Sequence, residues 1–157
     1  MNKVVLILVM ILFFVSGNVF ATVISEKGKE VEIKDQATKM FIYGTLESWV
    51  IMHASDIYRK EYNAKTVLRE GPKPENIRIW IQPMKKVSKE TSDGIEYTHL
   101  IRVTLPYEKV VIDDKKEIKA VDTLVYAVNP FILTACFETG KSEKQFKLLS
   151  SHHEVLP

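Results

Sequence analysis

The chain has 157 residues, with 22 basic and 20 acidic side chains, four histidines and a single cysteine. This near-balance of charge gives no electrostatic case for a nucleic-acid partner. One cysteine, Cys136, excludes an intramolecular disulfide, so the fold must rest on packing alone.

Met1-Asn2-Lys3 opens the chain with a short positive region, and residues 4–15 form an unbroken apolar run of twelve. Ser16, Gly17 and Asn18 break the run, and Val19-Phe20-Ala21 offers small side chains for a peptidase. These three parts predict a secretory signal peptide cleaved after Ala21. The alternative is an uncleaved anchor, but twelve helical residues rise only about 18 Å against roughly 30 Å of bilayer hydrocarbon. Cleavage leaves 136 residues at a formal +1, enough for one domain with a real core. The expected location is secreted or extracytoplasmic, released or held at the wall.

Residues 22–35 are a polar lead. Within it Val31 and Ile33 alternate with Glu32 and Lys34, as a short strand or a loose terminus would. Asp35 suits the cap of a helix starting near Gln36, with Ala37, Met40, Phe41 and Leu46 on its apolar side. Gly44 weakens such a helix by about 1 kcal/mol, which leaves either one long helix or two pieces. The strongest helical stretch is 46–62. Leu46, Trp49, Val50, Ala54, Ile57, Tyr58 and Tyr62 recur there at spacings that share one broad face. Ile51 and Met52 widen the face, so cover on more than one side is expected. Thr45 is a second candidate cap, Lys60 suits the negative end of the dipole, and His53 falls near the apolar side.

The stretch 62–68 reads as a helix end or a short strand, and Gly71, Pro72 and Pro74 mark a loop. Ile77, Ile79 and Ile81 alternate with Arg78, Trp80 and Gln82, a strand with its isoleucines inward; Pro83 points to an edge or bulge. Ser92-Asp93-Gly94 is a turn. Tyr97, His99, Ile101, Val103 and Leu105, preceded by Ile95, alternate as the clearest strand, antiparallel to 77–82. Residues 106–119 read as a charged connection with Asp113-Asp114-Lys115-Lys116 as an exposed turn; the ligand spacing of a calcium loop is missing. Residues 120–128 and 131–137 read as strands joined by Asn129-Pro130, and Asp122 argues against a membrane span there. Cys136 reads as a small buried hydrophobe. Thr139-Gly140-Lys141-Ser142 lacks the first glycine of a phosphate loop and reads as a hairpin turn. Phe146 and Leu148 begin a last strand, and Ser151-His152-His153-Glu154 reads as a solvated tail.

The layout resembles a family of small exported proteins of unknown function from spore-forming Gram-positive bacteria. The resemblance covers most of 40–153. It is carried by 46–58, by Tyr62-Asn63-Ala64-Lys65-Thr66-Val67, by Val128-Asn129-Pro130-Phe131 and by 147–152. It implies export and a helix followed by strands; no activity comes with it. The family pattern has a histidine before the Asn-Pro and a proline and glycine after it, where this chain has Val128, Phe131 and Ile132.

The expected architecture is α+β: a long N-terminal helix packed on one face of a curved antiparallel sheet of four or five strands. The expected boundaries are a signal at 1–21, a lead at 22–35, one domain at 36–153 and a tail at 154–157. Neither HExxH, nucleophile elbow, paired cysteines nor glycine-rich loop is present. The leading functional expectation is an exported, non-enzymatic binding or protein-interaction module. Its partner is an unknown protein or wall component, it uses no cofactor or metal, and no membrane span remains after signal removal. Asn129, Pro130 and Phe131 are its candidate contact loop. The alternative is a small-ligand binder or modest hydrolase with a pocket between helix and sheet, using His53, Tyr58, Tyr97 and His99. An open cleft there favours the second reading; a filled core beside a flat apolar rim favours the first.

Overall fold

The computed structural model describes residues 28–89, 96–129 and 146–157. Strand β1 (Val31–Glu32) leads into helix α1 (Gln36–Tyr62), followed by β2 (Val67–Glu70), β3 (Arg78–Lys89), β4 (Glu96–Ile112), β5 (Lys116–Val128) and β6 (Phe146–Leu156). All six strands form one sheet in the order β1-β3-β4-β5-β6, with β2 also paired to β4 and every pairing antiparallel. The helix-on-sheet architecture is as expected, with six strands in place of four or five. The extra ones are short β1 and β2, which extend an edge rather than build the centre.

Asp35 caps α1: its carboxylate accepts from the Thr38 backbone N–H (2.8 Å) and the Thr38 hydroxyl (2.6 Å). The helix then runs unbroken for 27 residues through Gly44, because burial of its apolar ridge outweighs a propensity penalty of about 1 kcal/mol. Thr45 is therefore interior, not a cap, and its hydroxyl donates back to the Phe41 carbonyl (2.9 Å). The ridge is Ile42, Leu46, Val50, Ala54 and Tyr58, four residues apart and fully buried, with Ile57 beside it. Ile51 and Met52 are exposed, so the helix is covered on one side only. Asn63 ends it in the left-handed conformation, which an asparagine tolerates. No described helix is long and apolar enough to cross a membrane.

Beneath the ridge lie the inward side chains of the sheet: Ile77, Ile79 and Ile81, then Ile101, Val103 and Leu105, then Ala120, Leu124 and Tyr126. Strand β4 runs on through Pro106 to Ile112, where the sequence reads as a charged connection. A bulge between Tyr107 and Val110 shifts the inward phase from odd to even residues, so Val110 and Ile112 are buried although they break the earlier alternation. The Asp113 turn is where expected. It also ties down the helix exit: its Oδ1 accepts from the backbone N–H groups of Lys65 (2.8 Å) and Thr66 (2.7 Å).

Strands β2 and β3 both pair with the same side of β4, β2 against 109–112 and β3 against 96–104. They are two pieces of one sheet edge, interrupted by residues 71–77. Gly71, at φ +84°, starts the interruption in a conformation that favours glycine. On the opposite face Trp80 lies between the guanidinium groups of Arg78 (5.0 Å) and Arg102 (4.0 Å), which pair with Glu32 and Glu30 and clip the N-terminal lead to the sheet.

The signal region 1–21, the turn at 92–94, Pro130, Phe131, the 131–137 strand, Cys136 and the 139–142 turn lie outside the described residues.

Candidate functional site

Two features occupy the interface of α1 with the sheet: a buried polar cluster under the second half of the helix and an open groove beside the first half.

The cluster begins at Asp122, an aspartate in the inward row of β5 between Ala120 and Leu124, and wholly buried. Its Oδ1 accepts from the Tyr58 hydroxyl (3.2 Å) and lies 2.8 Å from Nδ1 of His153. A carboxylate only accepts, so Nδ1 carries the proton, and in the neutral ring Nε2 then accepts from the Tyr62 hydroxyl at 3.0 Å. Glu61 lies 3.9 Å from the same nitrogen. Burial raises the Asp122 carboxyl above the usual carboxylate range, opposed by the hydrogen bonds from His153 and Tyr58 and by the charge of Arg69. Burial, then Asp122, raises the Tyr58 phenol. Tyr58 meets the His153 ring edge-on at 4.6 Å.

An aspartate holding a histidine through Nδ1 is the orienting half of an acid–base device. Here the other nitrogen is occupied by Tyr62, and the His153 side chain is only 1% exposed. The arrangement is a latch that fastens α1 to β5 and β6.

His153 corrects the expectation of a solvated tail. β6 continues to Leu156, and a bulge opposite Val125 and Tyr126 shifts its inward phase. Phe146 and Leu148 face in before the bulge, and extrapolation from them puts His152 inward. After it, His153 lies opposite Asp122 and is buried, while His152 is exposed.

The four pocket candidates do not converge. Tyr58 belongs to the latch. His53, on the helix, pairs Nδ1 with the Tyr126 hydroxyl (3.0 Å) beside Trp49, and burial lowers its pKa. His99 is buried in β4 with Nδ1 2.7 Å from the Thr98 hydroxyl, while its Nε2 is buried with no partner among the described residues; burial lowers its pKa too. Tyr97 is buried two residues before it. Between 46–62 and 96–105, Ile101 and Val103 are fully buried in the core with Leu46 and Val50, and Ile57 is buried on the helix. Of the loop candidates Asn129 is described: its side-chain amide donates to the Glu96 carbonyl (3.1 Å). No group of three or more metal-ligating side chains occurs among the described residues.

The open space lies elsewhere at the same interface. A groove of about 640 Å³ runs between the first half of α1 and the interrupted edge. Met40, Tyr43, Gly44, Glu47 and Ile51 form the helix wall. Val67, Leu68 and Arg69 of β2, with Gly71, Pro72 and Pro74 after it, form the other, and Ile77 and Tyr107 lie at the bottom. The 71–77 interruption removes the strand that would fill this space, and Gly44 presents no side chain into it.

Arg69 joins groove and latch. It alternates inward with Val67 on β2 and spans to the helix, where Nη2 donates to the Ser55 hydroxyl (2.8 Å) and the Ile51 carbonyl (3.3 Å). Its guanidinium lies against the rings of Tyr107 (5.7 Å) and Tyr58 (6.0 Å). Among the described residues Nη1 has no hydrogen-bond partner although buried, and the same holds for Oδ2 of Asp122. Comparison with known proteins finds no matching family model, no matching curated protein and no matching solved structure.

Proposed function

We propose that this chain is an exported, non-enzymatic binding module that takes a small ligand in the groove between α1 and the β2–β3 edge. The observation that carries this reading is the groove itself. Its volume of about 640 Å³ lies within the usual range of ligand sites, and its wall mixes apolar side chains, two tyrosines and two charges. Export rests on the three-part N-terminal segment. The latch argues against a hydrolase, since the one aspartate–histidine pair is sealed by Tyr62.

Gly44→Phe is the direct test. Gly44 lines the groove and a Cβ there meets no atom within 4 Å, so a phenylalanine at this position is expected to occupy groove space without displacing the core. In a thermal-shift screen of small molecules run on both proteins, compounds that raise the wild-type Tm should fail to raise that of the variant. A screen in which every stabilising compound acts equally on both would sink the groove as the site. The second reading, a protein-interaction surface, is favoured by exposed Ile51, Met52 and Leu68 around the groove; it predicts that Leu68→Lys abolishes a partner complex while small molecules have no effect on Tm.

A further inference from the structure

We infer that the groove selects a small amphipathic carboxylate, an apolar chain ending in one anionic head, and that the positive charge of Arg69 sets this preference; the inference rests on the groove being the binding surface. Met40, Val67 and Ile77 supply apolar wall for a chain. Two charged side chains line the same space, Arg69 and Glu47, and they are not equivalent. Glu47 is exposed on the helix, where water and salt screen it. Arg69 is half-buried, and its hydrogen bonds go to two neutral oxygens on the helix. Among the described residues no carboxylate lies within ion-pair distance of it.

A cation held between tyrosine rings without a direct counter-charge keeps the inner groove positive, and in that low-dielectric setting the field carries further than in water. Asp122 offsets it in part, but that carboxylate already takes the Tyr58 and His153 hydrogen bonds. Tyr43 registers both charges from the helix wall: after burial, Glu47 raises its phenol pKa and Arg69 lowers it. An anionic head placed on the Arg69 side therefore gains, with its chain along Met40 and Val67, and a cationic head there loses. Recognition runs through the guanidinium's charge, since Nη1 is buried and Nη2 is bonded to the helix.

The test is a head-group series at constant chain length: octanoate, octan-1-ol and octylammonium, titrated calorimetrically into the full chain and into its Gly44→Phe variant. The variant separates the groove from any binding by the apolar N-terminal run. Octanoate should bind the wild type on the order of tenfold tighter than the other two, as expected for one partly screened charge pair, and Gly44→Phe should lose that binding. Arg69→Met should erase the preference, and Glu47→Gln, at an exposed position that leaves the fold intact, should enlarge it. Equal or tighter groove binding of the alcohol or the ammonium overturns the anion preference and leaves the groove reading standing. Absence of binding by all three, or equal binding to Gly44→Phe, overturns the anion preference as well. The groove reading then stands or falls on the compound screen alone. Because the wild-type series needs no substitution at Arg69, a misfolded Arg69 variant does not obscure the result.

Discussion

One helix covers one sheet in two opposite ways. From Val50 onward α1 lies over β5 and β6, strands paired through ten registered positions, and its side chains are locked: Tyr58 to Asp122, His53 to Tyr126, Tyr62 to His153. Before that point it lies beside an edge broken at 71–77, and the result is a groove. A straight helix cannot follow a gap in the sheet, so continuity of the strands decides whether the space is filled or open. The closed half holds the polar groups that resemble catalytic ones, and the open half holds the groove.

The largest expected effect that sharpens this contrast is at Asp122. Asp122→Ala leaves the Tyr58 hydroxyl and the His153 Nδ1–H buried without an acceptor, and should lower stability by about 4 kcal/mol in urea unfolding. Leu68→Ser, on the open side and mostly exposed, should stay within about 0.5 kcal/mol. Comparable losses at the two positions would erase the distinction between a locked and an open half.

Next in size is the apolar ridge. Ile57→Ala should cost about 3 kcal/mol by leaving a cavity, and Trp49→Ala less, because Trp49 is half-buried and meets Phe146 edge-on at 5.6 Å. A larger loss at Trp49 would move the centre of the packing toward the start of β6.

The pH dependence should follow the histidines. His99 and His53 have pKa values lowered by burial, so between the folded value and the ordinary value near 6.5 the unfolded chain takes up protons that the folded chain does not. Stability is therefore full above about pH 6.5 and falls as the solution is acidified through that value. His99→Leu should flatten the fall, measured as Tm against pH. Asp122 has the opposite sign: a raised carboxyl contributes fully below the ordinary carboxylate value and loses that contribution as pH rises. It cannot produce a loss on acidification through pH 6.

The smallest effect is at Gly44. Gly44→Ala should raise stability by up to about 1 kcal/mol, since the residue is helical, exposed and free of neighbours. A loss there would show that the groove wall needs the glycine for close approach.

Much of the fold was legible in residue spacing. The alternation of Ile77, Ile79 and Ile81 and of Tyr97 to Leu105 named two strands and their inward faces, and the four-residue ridge named the helix. Asp35 was legible as a cap because capping depends on neighbours in the chain. Asp122 was visible as an aspartate in an apolar strand, but Arg69 lies beyond the 62–68 stretch read as a helix end or short strand, and nothing local says that the two meet near Tyr58. His153 was misread because 151–154 is polar and reads as a tail, whereas β6 runs on through it and a bulge turns His153 inward.

The sequence by itself determined the long helix, the inward isoleucines of β3, the inward face of the first part of β4 and the α+β layering, because periodicity and capping are local properties of the chain. Only the tertiary structure decided which histidine is buried, that β2 and β3 share an edge with a gap between them, and that the open space lies beside Gly44 rather than between His53 and His99. Those outcomes depend on register and on strand continuity, which bring together residues as far apart as Tyr62 and His153.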